Sequence, residues 1–479
     1  MKKTVVLYPG VAVTHFVPMM QLIDALLEEG YAVVVAIIDI THSKNLAFAA
    51  AVDRVAASKP SVTFHALPRI QDPPVVTTDA RFLIGYFELV RRYNDHLGEF
   101  LRSMPPRSVH AVIVDSMSHV ALDVAKELGI PTYTFVSCSA SALAVSLQLP
   151  FIRKEGQVCL KELGDSPLDF FGVPPVPASH QFGEMYEDPK SELYQVFVNS
   201  FRKILEANGM LVNTFDSLEA RALGALKDPM FLPGGESTVP PVYSVGPLVE
   251  KGGDETTKEK HECLAWLDKQ PEHSVVFLCF GSFAFHTEDQ LKEIAVGLEK
   301  SGHRFLWVVR APPRGDTFAV HGDPDLDTLL PEGFLDRTNG RGLVVKQWAP
   351  QVDVLCHKAV GAFVTHCGWN SVQEGIIGGV PMLCWPLYAE QKMNKVFMVE
   401  EFGVGVEVVG WQQGLVKAEE VETKVRLVLE SEEGERLRAR VTSLKEALAT
   451  AWNEGGSSHA AIRQFLLDAA DVGMAKGRA

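Results

Sequence analysis

The chain has 479 residues, of which 47% are hydrophobic and 22% are charged, and its formal net charge at pH 7 is -15. This composition is that of a globular protein and excludes a disordered or fibrous chain, while the length favours two domains over a single core. The excess of acidic residues argues against a nucleic-acid partner, because an acidic surface repels phosphate backbones.

The cysteines and the N-terminal sequence bear on the compartment. Seven cysteines are spread along the chain without a CxxC pair, so neither a disulfide framework nor a zinc site is expected and a cytoplasmic location fits best. Pro9, His15 and Gln21 interrupt the apolar start of the chain, which favours a first β-strand over a signal peptide. No stretch reaches the about eighteen apolar residues of a membrane span. We expect a monomer without a membrane span.

In the first half of the chain, short β-branched runs alternate with longer amphipathic ones. Strands are predicted over 4–9, 32–38 and 111–115, and helical patterns over 16–29 and 119–129. Such alternation is typical of right-handed βαβ units, which form a parallel sheet with helices on both faces.

The second half repeats the scheme. A helix is predicted over 289–302, and strands are predicted over 274–282, 304–310, 342–348 and 361–366. The sequence therefore predicts an α/β fold of two doubly wound, Rossmann-like domains that face each other across a cleft. Ligands of such domains bind at the carboxyl ends of the strands.

A polar, charged stretch without an apolar period marks the predicted domain boundary. We expect an N-terminal domain over 1–248, a linker over 249–262 and a C-terminal domain over 263–455. The last helical segment, 456–479, is expected to return to the N-terminal domain. The irregular stretch 311–333 predicts a surface loop, because strand-like sequence resumes after it.

The segment from Trp348 to Gln391 points to an anion site. A predicted strand ends at His366, a Cys-Gly turn follows, and a helix is predicted to begin near Asn370 or Ser371. Unpaired backbone N–H groups and the positive end of the helix dipole would converge there, which suits a diphosphate.

The same segment resembles the plant secondary product glycosyltransferase box in its length, its opening WAPQ, its central HCGWNS and its closing Gln391. The resemblance extends along the chain through FGS at 280–282, LPEGFLDRT at 330–338 and GGSSHAAI at 455–462. The chain is thus similar to the plant family 1 UDP-dependent glycosyltransferases. The resemblance implies the two-domain GT-B fold and inverting transfer of glucose from UDP-glucose to a hydroxyl of a small apolar or phenolic acceptor, such as a flavonoid.

The resemblance also implies roles for donor-side residues. Trp348 would stack on uracil, the backbone of Ala349 and the side chain of Gln351 would contact the uridine, and Glu374 would hold the ribose hydroxyls. The phosphate contacts would come from Ser282, His366, Asn370 and Ser371, and the contacts to the sugar from Trp369, Glu390 and Gln391. Gly368 is also expected among the donor-binding residues. A closing Gln in this box tends to accompany glucose.

Structural interpretations compete with some of these roles. Ser371 and Glu374 form an S-x-x-E capping box, which alone explains that pair. Trp348 at a strand end would ordinarily be a core aromatic residue. The packing of Cys367 beside His366 is better explained by a core role than by metal binding, because adjacent residues lack ligand spacing.

A metal motif is weak in this sequence. Asp323-Pro-Asp325 forms a D-x-D string, but it lies in the irregular acidic loop and not at a strand end, which favours a solvated turn. We therefore expect no metal and no resident cofactor, with UDP-glucose as a co-substrate.

Sugar transfer requires a base near the acceptor oxygen. His15 follows the first predicted strand and Asp115 ends another, so a doubly wound sheet would place both at its carboxyl edge. In the resembling family the His is the general base and the Asp steadies its imidazolium. A structural His and a capping Asp remain open alternatives. Thr14 departs from the Gly that the family frequently has before this His.

The acceptor pocket is expected in the N-terminal domain, although most aromatic residues there belong to the core. The apolar candidates are Phe16, Phe82, Phe87, Phe135 and Leu149. A nucleotide-dependent dehydrogenase is disfavoured, because no G-x-G-x-x-G links a strand to a helix. A non-catalytic protein that binds UDP-sugars or phenols, and an enzyme that attacks through carbon, remain alternatives.

Overall fold

The computed structural model describes residues 2–38, 46–76, 81–152, 159–234, 238–250, 261–282, 285–311 and 322–476. The chain forms two compact units. The N-terminal unit holds the residues up to Val249 and those from Thr450 onward, and the C-terminal unit holds the described residues from Glu250 to Ala449. Most of the expected linker, 251–260, lies outside the described residues.

The N-terminal unit contains a parallel sheet and a small antiparallel hairpin, the latter formed by β6 and β7. The strands are β1 Thr4–Tyr8, β2 Ala32–Ile37, β3 Thr63–Ala66, β4 Val109–Asp115, β5 Thr132–Val136, β6 Pro167–Leu168, β7 Val176–Pro177, β8 Gly209–Val212 and β9 Val242–Ser244. Within the described residues the parallel sheet has the order β3-β2-β1-β4-β5-β8-β9. The reversal of strand order beside β1 makes this a doubly wound sheet.

Helices connect these strands, and the first of them agrees with the helical pattern predicted over 16–29. They are α1 Val13–Glu28, α2 Leu46–Ser58, α3 Phe82–Arg92, α4 Asn94–Ser103, α5 Leu122–Glu127, α6 Ala140–Ile152, α7 Glu192–Ile204 and α8 Ala220–Leu226. The segment predicted as one helix over 119–129 divides into a 3-10 turn, Ser116–Ala121, and the short helix α5.

The C-terminal unit repeats the architecture. Its strands are β10 Val275–Cys279, β11 Arg304–Val309, β12 Gly342–Lys346, β13 Val360–Thr365, β14 Met382–Cys384 and β15 Gly405–Glu407, all in parallel pairs. In the described chain their order is β12-β11-β10-β13-β14-β15. The helices are α9 Glu262–Leu267, α10 Glu288–Ser301, α11 Leu326–Leu329, α12 Phe334–Arg337, α13 Gln351–Leu355, α14 Trp369–Gly378, α15 Gln391–Val396, α16 Ala418–Glu430 and α17 Glu432–Ala451.

The last helix, α18 Ser457–Lys476, packs on the sheet of the N-terminal unit. Its Phe465 is fully buried in the core of that sheet, and Tyr243 of β9 donates a hydrogen bond to Asp468. The carbonyl oxygen of Leu466 lies 3.0 Å from the Nε2 atom of His110 on β4. The helix therefore closes one face of the N-terminal sheet.

Both sheets place their functional loops by the same rule. The central strand β1 is buried along its whole length and lies between β2 and β4, and β10 lies likewise between β11 and β13. Strand order reverses at these central strands, so the loops that follow them diverge and leave room for a ligand. We call the side of each sheet at which its strands end the carboxyl edge.

Candidate functional site

At the carboxyl edge of the N-terminal unit, His15 contacts Asp115. His15 lies in the first turn of α1, directly after β1, and Asp115 is the last residue of the neighbouring strand β4. Their Nδ1 and Oδ1 atoms are 3.0 Å apart, with Asp115 fully buried and His15 partly exposed. A carboxylate only accepts hydrogen bonds, so the Nδ1 atom donates, and this tautomer presents the lone pair of Nε2.

The second carboxylate oxygen of Asp115 is also fixed. Its Oδ2 atom accepts a hydrogen bond of 3.0 Å from the backbone N–H of Met117 and thereby caps the 3-10 turn Ser116–Ala121. Asp115 therefore both caps the turn, through Oδ2, and pairs with His15, through Oδ1. Thr14, the departure beside this His, is exposed.

Tyr86 of α3 holds the loop that precedes α1, the helix that carries His15. Its buried hydroxyl oxygen accepts a hydrogen bond of 3.1 Å from the backbone N–H of Val11. A Cβ atom at Gly10 would lie 2.6 Å from this oxygen and 2.7 Å from Oδ2 of Asp115, so only glycine fits between the phenol and the carboxylate. Burial, followed by the charge of Asp115, raises the pKa of Tyr86, which keeps it a neutral phenol.

The five acceptor candidates fall into two groups. Phe16 and Phe135 are fully buried in the core of the sheet, and Leu149 of α6 is fully buried too, which favours packing for these three side chains. Phe82 and Phe87 lie on α3 with Tyr86; the Phe82 and Tyr86 ring centres are 5.5 Å apart. Both therefore share α3 with Tyr86, which contacts the loop before α1, although Phe87 is itself buried.

At the carboxyl edge of the C-terminal unit, Trp348 is exposed. β12 ends at Lys346 because Gln347 adopts a positive φ of 66°, which turns the chain out of the sheet. The side chain of Trp348 is 61% exposed, so the core interpretation is wrong, whereas Ala349 beside it is buried. The ring of His261 meets the Trp348 ring edge to face at 5.7 Å.

Gln351 links the start of α13 to α14. Its Nε2 atom donates to the Ser371 hydroxyl at 2.8 Å and to a carboxylate oxygen of Glu374 at 2.5 Å. The N-cap of α14 is Gly368, without a side-chain cap, so the competing capping-box interpretation of Ser371 and Glu374 is wrong. Burial raises the pKa of Glu374 to about 7, which the charge of Glu250 also favours and the bond from Gln351 opposes.

His366, directly after β13, is enclosed by two glycine turns. A Cβ atom at Gly281 or at Gly368 would lie 2.5 Å from its Nε2 atom. Its buried Nδ1 atom has no hydrogen-bond partner in the described part of the chain. Burial, and then the charge of Arg310, lower the pKa of His366 to about 3. The imidazole is therefore neutral at physiological pH and offers hydrogen bonds without charge.

The start of α14 lies next to this imidazole. Cys367 adopts a positive φ of 64° and turns the chain from β13 into α14. The first residues of the helix are Trp369, Asn370 and Ser371, whose N–H groups belong to the helix N-terminus. The indole of Trp369 is only 3% exposed and packs against Phe402. This burial favours packing for the indole, and the contact of Trp369 with the sugar stays a prediction.

The turn before α15 lies close to His366 as well. The rings of Tyr388 and His366 are 6.4 Å apart. Gln391 is buried, and its side-chain oxygen accepts hydrogen bonds of 2.9 Å from the backbone N–H groups of Leu387 and Tyr388. Gln391 thus shapes the turn on which Tyr388 and the partly buried Glu390 stand.

The D-x-D string lies in an irregular segment before α11, and both of its carboxylate residues are exposed. Asp325 caps α11 by accepting from the N–H of Asp327 at 3.2 Å, and Asp323 pairs with Lys346 at 3.1 Å. Among the described residues no cluster of three or more His, Cys, Asp and Glu side chains could hold a metal ion. In the same residues, no helix is both long enough and apolar enough to cross a bilayer.

Comparisons with known proteins identify the family. Residues 240–439 match the family model described as UDP-glucoronosyl and UDP-glucosyl transferase. The anthocyanidin 5,3-O-glucosyltransferase of a Rosa hybrid cultivar is 40% identical, and the match covers 96% of this chain and 98% of that protein. The chain belongs to the plant family 1 UDP-glycosyltransferases.

Solved structures of related UDP-glycosyltransferases agree. One is a UDP-glucosyltransferase from Polygonum tinctorium capable of glucosylating indoxyl, with a TM-score of 0.86, 33% identity and coverage of 98% of this chain and 99% of that one. Another is UGT2 of Phytolacca americana, complexed with UDP-2-fluoroglucose and pterostilbene, with a TM-score of 0.84, 31% identity and coverage of 98% and 99%. The fold is GT-B, and this UDP-glycosyltransferase is an enzyme that transfers a sugar from a UDP-sugar.

The sequence did not reveal three residues at the carboxyl edges of this UDP-glycosyltransferase. Tyr86 lies inside an amphipathic helix and contacts Val11 from 75 residues away, so no local signal marks it. Tyr388 is likewise marked by no motif of its own. Arg310 directly follows β11, and the rule that selected Asp115, a charged residue at a strand end, would have found it.

Proposed function

We propose that this UDP-glycosyltransferase transfers glucose from UDP-glucose to a hydroxyl of a small phenolic acceptor, with inversion at the anomeric carbon and with His15 as the general base. The observation that carries the proposal is the 3.0 Å contact between His15 Nδ1 and Asp115 Oδ1. A non-catalytic binding protein would not need this pair.

The chemistry is a single displacement. The acceptor hydroxyl gives its proton to Nε2 of His15 as its oxygen forms a bond to the anomeric carbon, and the bond from that carbon to the diphosphate breaks with both electrons leaving on UDP. Asp115 stabilises the imidazolium and fixes the ring orientation. Attack on the side opposite the leaving group inverts the anomeric centre.

A phenolic acceptor is supported by the relatives and by the acidity of phenolic hydroxyl groups. The rose relative acts on anthocyanidins by its name, and the Phytolacca structure contains pterostilbene. Phenolic hydroxyls have a pKa of about 10 and lose a proton more readily than aliphatic alcohols. For the donor, the closing Gln391 of the box supports glucose, and the exposed face of Trp348 suits stacking on uracil.

We also propose that no metal takes part. The N-terminus of α14 offers backbone donors to the diphosphate, and the D-x-D carboxylates are used in a cap and an ion pair. No disulfide joins any of the seven cysteines, all of which lie in the described residues, which supports a cytoplasmic location. The monomeric state stays a prediction, which light scattering during size-exclusion chromatography would test.

The test is incubation of the purified protein with UDP-glucose and a panel of flavonoids and simple phenols, followed by mass spectrometry. We expect acceptor-dependent UDP release and a β-configured O-glucoside that acid hydrolyses; an acid-resistant product would show carbon attack. EDTA should leave turnover nearly unchanged, whereas a loss restored by magnesium would contradict the metal-free proposal. UDP binding without transfer to any acceptor would favour the binding protein.

A further inference from the structure

The donor site lacks a formal positive charge if it consists only of the residues that the family resemblance implies. His366 is neutral at physiological pH because burial lowers its pKa to about 3, and the helix N-terminus supplies only about half a unit charge. The chain as a whole has a net charge of -15. A bound diphosphate would therefore gain from a cation close to the glycine turns.

The register of the C-terminal sheet brings one such cation to these turns. Trp307 pairs with Leu278 in the ladder between β11 and β10. Beyond the ladder, Arg310 directly follows β11, and Gly281 and Cys367 each lie two residues after the ends of β10 and β13. Because β10 lies between β11 and β13, all three residues stand at the carboxyl edge of neighbouring strands, beside the two glycine turns that enclose the imidazole of His366.

The contacts of Arg310 leave most of its guanidinium for a ligand. Its Nε atom donates a hydrogen bond of 2.7 Å to the backbone oxygen of Gln347, and within the described residues it forms no ion pair with a carboxylate. Its charge adds to burial in lowering the pKa of His366 and opposes the burial that raises the pKa of Tyr388, so it lies near both rings. Arg304, at the other end of β11, instead donates to the side chain of Gln270.

We propose that Arg310 binds the diphosphate of the UDP-sugar and supplies the positive charge of the donor site. The inference rests on the proposed function for the identity of the donor. A planar guanidinium can donate two parallel hydrogen bonds to phosphate oxygens. As UDP leaves, the same charge stabilises the electrons that the diphosphate receives.

The test compares ligands that share the uridine but differ in phosphate number. Isothermal titration calorimetry with UDP and UMP, and displacement of UMP by uridine, should show that Arg310→Gln lowers affinity for UDP by about ten- to a hundredfold, the loss of a charge-assisted contact. The loss should be smaller for UMP and within about twofold for uridine. Arg304→Gln is the matched control, on the same strand but at its opposite end, and should bind all three ligands normally.

Three outcomes overturn the inference. Equal losses for all three ligands would show that Arg310 only fixes Gln347, and through it Trp348. An unchanged UDP affinity would show that it has no role in binding. Arg310→Lys keeps the charge and should recover most of the UDP affinity, and a Lys variant as weak as Arg310→Gln would also refute the proposal. Failure of the proposed function looks different, because the wild-type protein would then bind UDP without transferring glucose.

Discussion

The two carboxyl edges position their functional residues in different ways. In the N-terminal unit, side chains hold the site: His15 pairs with Asp115, and Tyr86 fixes the loop between β1 and α1 that precedes His15. In the C-terminal unit, unusual backbone conformations position most of the site residues. Gln347, Cys367 and Ala389 adopt positive φ values of 66°, 64° and 52°, and glycine turns enclose His366.

The difference follows from the chemistry that each edge serves. A proton acceptor needs one fixed tautomer, and only a hydrogen-bonded partner such as Asp115 can impose it. A diphosphate needs several donors that converge, and backbone N–H groups at a helix N-terminus provide them when the chain before the helix turns sharply. Residues with positive φ cost free energy, so their presence beside Trp348, His366 and Glu390 is consistent with a binding role.

The largest expected effect comes from removing the proposed base at the carboxyl edge of the N-terminal unit. His15→Ala should lower transfer to a phenol by about a hundred- to ten-thousandfold, because the acceptor loses its general base. UDP affinity should stay nearly unchanged, since His15 lies in the other unit from Trp348. Steady-state kinetics and calorimetry measure the two quantities. Asp115→Ala should cost less, as the imidazole remains. A His15 variant that loses UDP affinity as much as turnover would contradict the assignment of the base.

The next largest effect comes from removing the proposed uracil-stacking residue at the carboxyl edge of the C-terminal unit. Trp348→Ala removes an exposed stacking face worth about 1 to 3 kcal/mol per base, so UDP affinity should fall about five- to a hundredfold. The melting temperature should change little, because the side chain is 61% exposed. Calorimetry and thermal unfolding check both quantities, and unchanged UDP affinity would exclude the stacking role.

A smaller effect comes from protonation of Glu374. Its pKa is raised to about 7, so it is ionised above that pH and protonated below it. If the carboxylate accepts hydrogen bonds from the ribose, UDP affinity should fall up to about tenfold between about pH 8 and about pH 6. Glu374→Gln is neutral at every pH and should bind UDP weakly. Its remaining pH dependence would measure the titration of the terminal phosphate of UDP, whose pKa is about 6. An equally steep profile in this variant would rule out Glu374 as the cause.

The smallest effect concerns the loop before His15. Tyr86→Phe removes only the hydroxyl that accepts from Val11, and kcat should fall about two- to tenfold, in line with the loss of one hydrogen bond. UDP affinity should be unaffected. Tyr133→Phe is the matched control, because its buried hydroxyl has no partner in the described residues. If both variants lower kcat equally, the effect is one of packing and Tyr86 does not position the loop.

The sequence predicted the two-sheet α/β fold, and most strand limits agree to within a few residues. The predicted strand 361–366 is β13 Val360–Thr365, and the helix expected near Asn370 begins at Trp369. These elements follow from alternating apolar patterns, which are local. A local pattern was less reliable for deciding which side chain caps a helix. The capping-box interpretation of Ser371 was wrong, because Cys367, with its positive φ, turns the chain so that α14 already starts at Trp369.

By itself, then, the sequence determined the order of strands and helices, the family and the segments at the strand ends, since periodicity and motif spacing are encoded along the chain. Only the tertiary structure decided which side chains meet. The contact of His15 with Asp115 spans 100 residues, and that of Tyr86 with Val11 spans 75. Such pairs depend on the register of neighbouring strands and on which side chains the core buries, and both are set by packing of the whole unit.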